Sequence, residues 1–329
     1  MKCSKKWLVY LIAVLTLAML IVVAGCGGKK DSDKAMKYPT KPINMVMAFT
    51  AGGSSDVQAR IMQKYWDKLV PQPWVFQYKT GAGGAIGFAE IAKAKPDGYT
   101  IGGVNVPHIV LQPIGQKAQF SIDDYIYICQ VVNDPQALVV NKNSRFKSAK
   151  EVIEFAKANP GKLKVGIVGT YSGSHMALLE WEDQAGIKTA QIVYKGAADQ
   201  NAALLGGELD VMMGNVNDVM RSLDMMTVLA VTSKERVKFI PEAPTFKELG
   251  MNVFSDIRRG FVVPKGTDPQ IVKFLRDTFK KISEDPEYLK DMEKAGQPTE
   301  YLSGEDFEKY VKDNNANAQT LLKKVGLVK

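Results

Sequence analysis

The chemistry this chain offers is concentrated in two glycine-rich turns. Thr50-Ala51-Gly52-Gly53-Ser54-Ser55-Asp56 follows an apolar run at 43–49, and Thr80-Gly81-Ala82-Gly83-Gly84-Ala85-Ile86-Gly87 follows another at 74–79. Each opens directly into a helical pattern. Glycine lets the backbone come close to a ligand, and a helix start presents unpaired N–H groups at the positive end of its dipole. Two such starts at adjacent strand ends form a crevice suited to a carboxylate or a phosphate. Taken singly, either turn reads first as a tight connection, and Asp56 as a helix N-cap rather than a ligand.

Other chemistries find little footing. The second turn has Ile86 in the third position of G-x-G-x-x-G, and no G-x-x-x-x-G-K-[ST] occurs, so no nucleotide cofactor is expected. The only histidines are His108 and His175, neither in a metal-ligand or Cys/His pattern, and no metal is expected. Gly169-Thr170-Tyr171-Ser172-Gly173-Ser174-His175 sets serines beside a histidine outside the G-x-S-x-G frame, and Ser172 and Ser174 read as capping residues. Cys129, inside the apolar run 125–132, reads as a small core residue rather than a nucleophile. No catalytic residue is expected.

The turns need elements to hold them. Apolar runs at 43–49, 74–79, 99–104, 164–168, 192–194, 209–213 and 227–232 read as strands, several apolar on both faces as parallel strands are. The segments between read as helices. Val57, Ile61, Tyr65 and Leu69 mark one apolar stripe over 56–69, and Val272, Leu275, Phe279 and Ile282 another over 269–283 behind Pro269. The repeated β-α-β-α order predicts an α/β fold with mostly parallel sheets flanked by helices.

At the amino end, Lys2, Lys5 and Lys6 precede an uncharged apolar run at 7–24 and then Gly25-Cys26. A basic segment, an apolar segment and small residues make an export signal, residues 1–25. The cysteine after Ala-Gly resembles the lipobox of bacterial lipoproteins, which implies lipidation at Cys26. A transmembrane anchor is the alternative, since 18 apolar residues just span a bilayer. Residues 26–37, small and charged, predict a flexible tether. Removing residues 1–25 takes away three lysines and no acidic residue, lowering the net charge from +8 to +5. Lysines interleave with acidic residues and form no aromatic-basic stripe, so nucleic acid is not an expected partner. With Cys3 in the signal and Cys26 lipidated, Cys129 has no partner for a disulfide.

From residue 38 the motifs acquire a common resemblance. Tyr38-Pro39-Thr40-Lys41-Pro42-Ile43, Gly52-Gly53, Asp56, Ala59-Arg60, Gly81-Ala82-Gly83-Gly84, Pro96-Asp97-Gly98-Tyr99-Thr100, Tyr194-Lys195-Gly196, Leu204-Leu205-Gly206-Gly207, Pro241-Glu242-Ala243-Pro244 and Pro264-Lys265-Gly266-Thr267 together resemble the substrate-binding proteins of tripartite tricarboxylate transporters, over about 38–329. The resemblance implies a periplasmic-binding-protein fold of the second topological type, with lobe 1 at 38–134 plus 256–329, lobe 2 at 135–255 and crossovers near 129–137 and 255–264. It implies a small carboxylate held by Phe49, Gly52, Gly53, Ser55, Gly81, Ala82 and Gly83 from one lobe, and by Thr170, Ser172, Ser174, His175, Asp199 and Asn215 from the other. It further implies a monomer, membrane-anchored through its lipid, that hands its ligand to the transporter's membrane subunits. A sensor presenting the ligand to a receptor is the alternative.

Several positions depart from the family pattern. Ala48-Phe49-Thr50-Ala51 stands where relatives often have Pro-Phe-Pro-Pro, and Ala85 stands where they have Asn. Ile257-Arg258-Arg259-Gly260 replaces a Trp-Arg-Gly or Trp-x-Gly stretch. An arginine facing the cleft there, with Arg259 the candidate, would pair with a second carboxylate; facing out, both are surface charges.

Overall fold

The structure is a computed structural model that describes residues 37–328. The export signal, Cys26 and all of the tether but Lys37 lie outside these residues. The strands are β1 (Ile43–Met47), β2 (Trp74–Tyr78), β3 (Thr100–Val106), β4 (Tyr125–Asn141), β5 (Lys164–Val168), β6 (Ala190–Tyr194), β7 (Val211–Asn215), β8 (Met226–Val231), β9 (Asp256–Pro264) and β10 (Thr299–Ser303). The helices are α1 (Ser54–Leu69), α2 (Ala85–Lys93), α3 (His108–Gln116), α4 (Ala149–Ala158), α5 (Gly173–Ala185), α6 (Ala197–Leu205), α7 (Val216–Met220), α8 (Pro269–Ser283), α9 (Pro286–Lys294) and α10 (Gly304–Lys324).

The sheet runs β2-β1-β3-β9-β4-β7-β5-β6, with β10 and β8 also paired to β4. It has two halves. In the first, β2, β1 and β3 are parallel and β9 pairs antiparallel to β3. In the second, β6, β5 and β7 are parallel and β7 pairs antiparallel to β4. The 17-residue β4 belongs to both, its first part paired with β9 from Tyr125↔Pro264 to Pro135↔Asp256 and its second with β7 and β8. The stretches expected as crossovers near 129–137 and 255–264 are thus themselves strands. β4 is long enough to serve both halves, its mostly apolar run interrupted by Gln130 and by Asn133-Asp134-Pro135-Gln136.

Helices cover both faces of each half, as parallel strands that are apolar on both sides require. In the first half, Trp66 of α1, Phe279 of α8 and Met292 of α9 meet Trp74 and Phe261 on one face; Phe88, Ile109 and Phe307 of α2, α3 and α10 meet Val104 and Val262 on the other. Side chains of this size stabilise by about 1.5–3 kcal/mol each when fully buried. In the second half, α4 and α5 pack on one face through Val152 and Trp181, and α6 and α7 on the other through Leu204 and Val219. Residues 38–329 hold together as one compact unit.

The stripe expected on α8 is buried as read: Val272, Leu275, Phe279 and Ile282 all face the core. The stripe expected on α1 is displaced. Val57 and Ile61 are half-buried and Leu69 is exposed, while Ala59, Met62, Tyr65 and Trp66 form the buried face. Trp66, packed at a tilt against Trp74 and Phe279, fixes the rotation of the helix because the largest side chain has most to gain from burial. Cys129 is buried and free, and burial pushes its thiol well above the ordinary range, as a core residue's should be.

Candidate functional site

The two sheet halves meet over a cavity of about 30 Å³. Its first-half wall is Phe49, Gly53, Ser54, Ser55, Asn105 and His108; its second-half wall includes Gln136, Ser174, Ala197, Gln200 and Asn215; Ile257 and Arg259 of β9 form the floor between them. Several helix starts converge here. Gly53 and Gly196, the N-caps of α1 and α6, carry no side-chain cap, so the first amides of both helices keep their donors for whatever enters.

Asp56 is not the N-cap expected from sequence. It sits in the first turn, where its carboxylate accepts from Gly52 N at 2.8 Å, Arg60 Nε at 3.1 Å and Tyr78 OH at 2.6 Å. The N-cap is Gly53, in extended backbone. By turning back onto Gly52 and out to Arg60, Asp56 leaves the amides of Ser54 and Ser55 unclaimed.

The charged groups of the site come in pairs. Arg259, 1% exposed, donates from Nη1 to Asp134 at 2.8 Å, and its Nε has no partner. Burial pushes Asp134 up to about 6, against the pull of Arg259. Asp218, also buried, accepts from Arg221 Nη2 at 2.6 Å on Oδ1 and from Ser54 Oγ at 2.5 Å and Asn215 Nδ2 at 2.7 Å on Oδ2. Arg221 Nη1 continues to Gly52 O at 2.8 Å. His108 packs edge-on against Phe49 and is held neutral at ordinary pH, lowered to about 3 by burial and then by Arg259. Three buried polar atoms of the lining lack a protein partner: His108 Nδ1, Gln136 Oε1 and Arg259 Nε. The three residues that carry them all line the cavity.

Of the residues expected in the site, Phe49, Gly53, Ser55, Ser174, Asn215 and Arg259 line this cavity; Gly52 does not, its carbonyl accepting from Arg221. The second glycine turn does not reach it. Gly81, Ala82 and Gly83 run through left-handed backbone and pack against the turn after β5, where Gln112 Nε2 donates to Gly83 O at 3.1 Å, Thr170 O at 2.8 Å and Tyr171 O at 3.2 Å. Thr170 is spent there too, its hydroxyl accepting from Gln116 at 2.6 Å. The expected crevice between two adjacent turns is therefore a crevice between the first turn and the second half of the sheet.

Ser172 caps α5 as expected, accepting from His175 N at 3.1 Å and donating to Gly169 O at 2.8 Å. Ser174 does not cap; its Oγ accepts from Val168 N at 3.1 Å. His175 accepts from Tyr171 N through Nδ1 and stays neutral, lowered to about 4 by burial. Asp199 is exposed, while its neighbours Ala197 and Gln200 line the cavity. Arg258 turns the opposite way from Arg259, to Glu300 at 2.6 Å and the ring of Tyr310. Sequence reasoning missed Ser54, Asn105, His108, Gln136, Asp134 and Asp218. One signal stood in the open, the polar Asn133-Asp134-Pro135-Gln136 inside a mostly apolar strand. Among the described residues no group of acidic, histidine or cysteine side chains is placed to hold a metal, and no described helix is long and apolar enough to cross a membrane.

Comparison with known proteins assigns this architecture. The sequence pattern of the "Tripartite tricarboxylate transporter family receptor" matches residues 58–327. The chain belongs to this family. It is similar to the "UPF0065 protein in gbd 5'region" of Cupriavidus necator, 31% identical over 97% of this chain and 98% of the relative, and to "Protein BugT" of Bordetella pertussis (strain Tohama I), 30% identical over 80% and 82%. Among solved structures it resembles the periplasmic binding protein BugD, at 28% identity and a TM-score of 0.82, covering 88% of this chain and 99% of that one. Two more distant structures share the fold at TM-scores of 0.81, an R. palustris protein with adipate (22% identity, covering 88% of this chain and 98% of its own) and a Rhodopseudomonas palustris protein with malate (19% identity, covering 87% and 100%). The family receptor fold is thus a periplasmic-binding-protein fold, as the motifs implied.

Proposed function

We propose that this family receptor is an extracytoplasmic solute-binding lipoprotein that takes one small carboxylate into the cavity and delivers it to transporter membrane subunits, without chemical change to the ligand. The observation that carries the reading is the convergence of uncapped helix starts and unpartnered buried polar atoms on one cavity. Amides at a helix start favour an anion, and Arg259 Nε adds a charge-assisted donor. The carboxylates bound to the two distant proteins of this fold agree with that ligand class.

A space of about 30 Å³ is far below the several hundred typical of small-molecule sites, so the ligand enters only when the halves separate. We assign the moving bodies to 38–134 plus 256–329 and 135–255, turning about β4 and β9. The bonds that opening would break are those from Ser54 to Asp218, Arg221 to Gly52 and Gln112 to Thr170. Titration calorimetry of the purified chain against a panel of mono-, di- and tricarboxylates tests the ligand class: micromolar or tighter binding of at least one is expected, and no binding across the panel overturns the reading. Small-angle scattering should show a smaller radius of gyration with ligand than without. For the anchor, Cys26→Ser should release the protein from the membrane fraction and abolish metabolic lipid labelling; unchanged labelling removes the lipoprotein claim.

A further inference from the structure

The orientation of one side chain in the cavity is fixed by a relay that begins at Asp218. This carboxylate can only accept, and it takes hydrogen bonds from Arg221, Ser54 and Asn215. Because Asn215 gives its NH₂ to Asp218, its carbonyl oxygen must point the other way. That oxygen accepts from Gln136 Nε2 at 2.7 Å. Gln136 in turn has its NH₂ committed to Asn215, which leaves Oε1 as the free end. Oε1 is buried and has no partner, and Gln136 lines the cavity. Gln136 itself is 0% exposed.

We infer that the ligand is a carboxylate carrying a hydrogen-bond donor, a hydroxyl or an amine or amide N–H, which it gives to Gln136 Oε1. This deepens the carboxylate reading and rests on it. The anionic end uses the helix-start amides and Arg259 Nε; the donor answers the one acceptor the relay presents. A ligand lacking that donor buries Gln136 Oε1 unsatisfied, which costs about 1–3 kcal/mol, or roughly five- to 150-fold in affinity. Asp218 is a positioning residue here, since it acts through Asn215 and Gln136.

Two ligand pairs that differ by a single hydroxyl isolate this effect: malate against succinate and lactate against propionate, measured by calorimetry on the purified chain. The hydroxylated member of at least one pair should bind about tenfold or more tightly. Gln136→Met should bring that ratio close to one, the des-hydroxy acid gaining what the unsatisfied Oε1 costs it in the natural protein. Asp218→Asn lets Asn215 turn over and Gln136 present its NH₂ instead, so the preference should shrink or reverse, with thermal melting confirming that each variant is folded. Equal affinity within both pairs in the natural sequence overturns the donor requirement and leaves the carboxylate site standing. A ratio unchanged in folded Gln136→Met overturns the role of Gln136. If none of the four acids nor any of the wider panel binds, the carboxylate reading falls and this inference with it.

Discussion

The turns at 50–56 and 80–87 look alike in sequence and behave as opposites in the fold. Both follow a strand of the same parallel trio and both open a helix. The first leaves Gly53 in extended backbone with no side-chain cap, so its amides face the cavity. The second passes Gly81, Ala82, Gly83 and Gly84 through positive φ and is stitched down by Gln112 onto the turn after β5. Glycine therefore does two jobs here. At Gly53 it leaves the cavity wall without a side chain; at Gly83 it permits a backbone conformation and a close approach of two chain segments. Function follows what occupies the space in front of the glycine, which composition does not reveal.

The largest test of the cavity side is Arg259→Met. It leaves Asp134 buried and unpaired, and removing one partner of a buried pair costs about 3–5 kcal/mol. Urea unfolding at pH 7.5 should show that loss, and the loss should be smaller at pH 5, where Asp134, already pushed up to about 6, takes up a proton. Arg259→Met combined with Asp134→Leu should recover most of the stability and none of the carboxylate affinity. If the double variant binds as well as the natural protein, the arginine is only structural.

The contrast between the two glycines is tested next. At Gly83, with φ +60°, an added Cβ lies 2.6 Å from Thr170 O and against the Gln112 amide. Gly83→Val should cost about 2–4 kcal/mol of stability through strain and overlap. At Gly53 the nearest atom to an added Cβ is Thr50 O at 3.4 Å, and φ is −78°. Gly53→Val should therefore melt near the natural protein and lose about tenfold in affinity, because the branched side chain fills the space before the Ser54 and Ser55 amides. Loss of stability at 53 and loss of affinity alone at 83 would invert the comparison.

How much of this was legible beforehand follows the same division. The parallel strands and the α8 stripe were legible because periodicity reports burial directly. The face of α1 was misread because its first turn buries Ser54, Ser55, Asp56 and Gln58 for the sake of the site, so polar residues occupy positions that periodicity assigns to solvent. The glycine turns were both legible as turns and read alike as ligand loops, with nothing local to tell that only the first lines the cavity. Arg259 stood open between cleft and surface in the sequence, since alternation along β9 sends Arg258 and Arg259 to opposite faces and nothing local says which is which. Gln136 and Asp218 were illegible: an 82-residue separation hides a relay that only the pairing of β4 with β7 brings together.

The pH dependence of stability sharpens the cavity side further, and its sign follows from three groups. His108 and His175 are lowered in the fold to about 3 and about 4, so the unfolded chain binds more protons than the native one below about pH 6.5, and stability falls as the solution is acidified. Asp134 is raised to about 6, so between about pH 4 and 6 it opposes one histidine. Among these three groups the balance is one proton, a contribution of about 1.4 kcal/mol lost per pH unit on going down through that window. His108→Gln should flatten the slope over pH 4–6, measured by urea unfolding at several pH values. An unchanged slope would mean that His108 is not held neutral in the cavity.

The smallest effect expected is at Ser172, which the family resemblance placed among ligand-holding residues and the structure places under the start of α5. Its hydroxyl is spent between His175 N and Gly169 O, within 3.2 Å of the Ser174 hydroxyl that does border the cavity. Losing a serine cap costs about 1 kcal/mol. Ser172→Ala should lower the unfolding free energy by about that amount and leave carboxylate affinity unchanged, whereas Gly53→Val does the reverse. A Ser172→Ala protein that melts normally and binds an order of magnitude more weakly would put the hydroxyl on the ligand, and would move the site's boundary from Ser174 down into the turn that Gln112 holds.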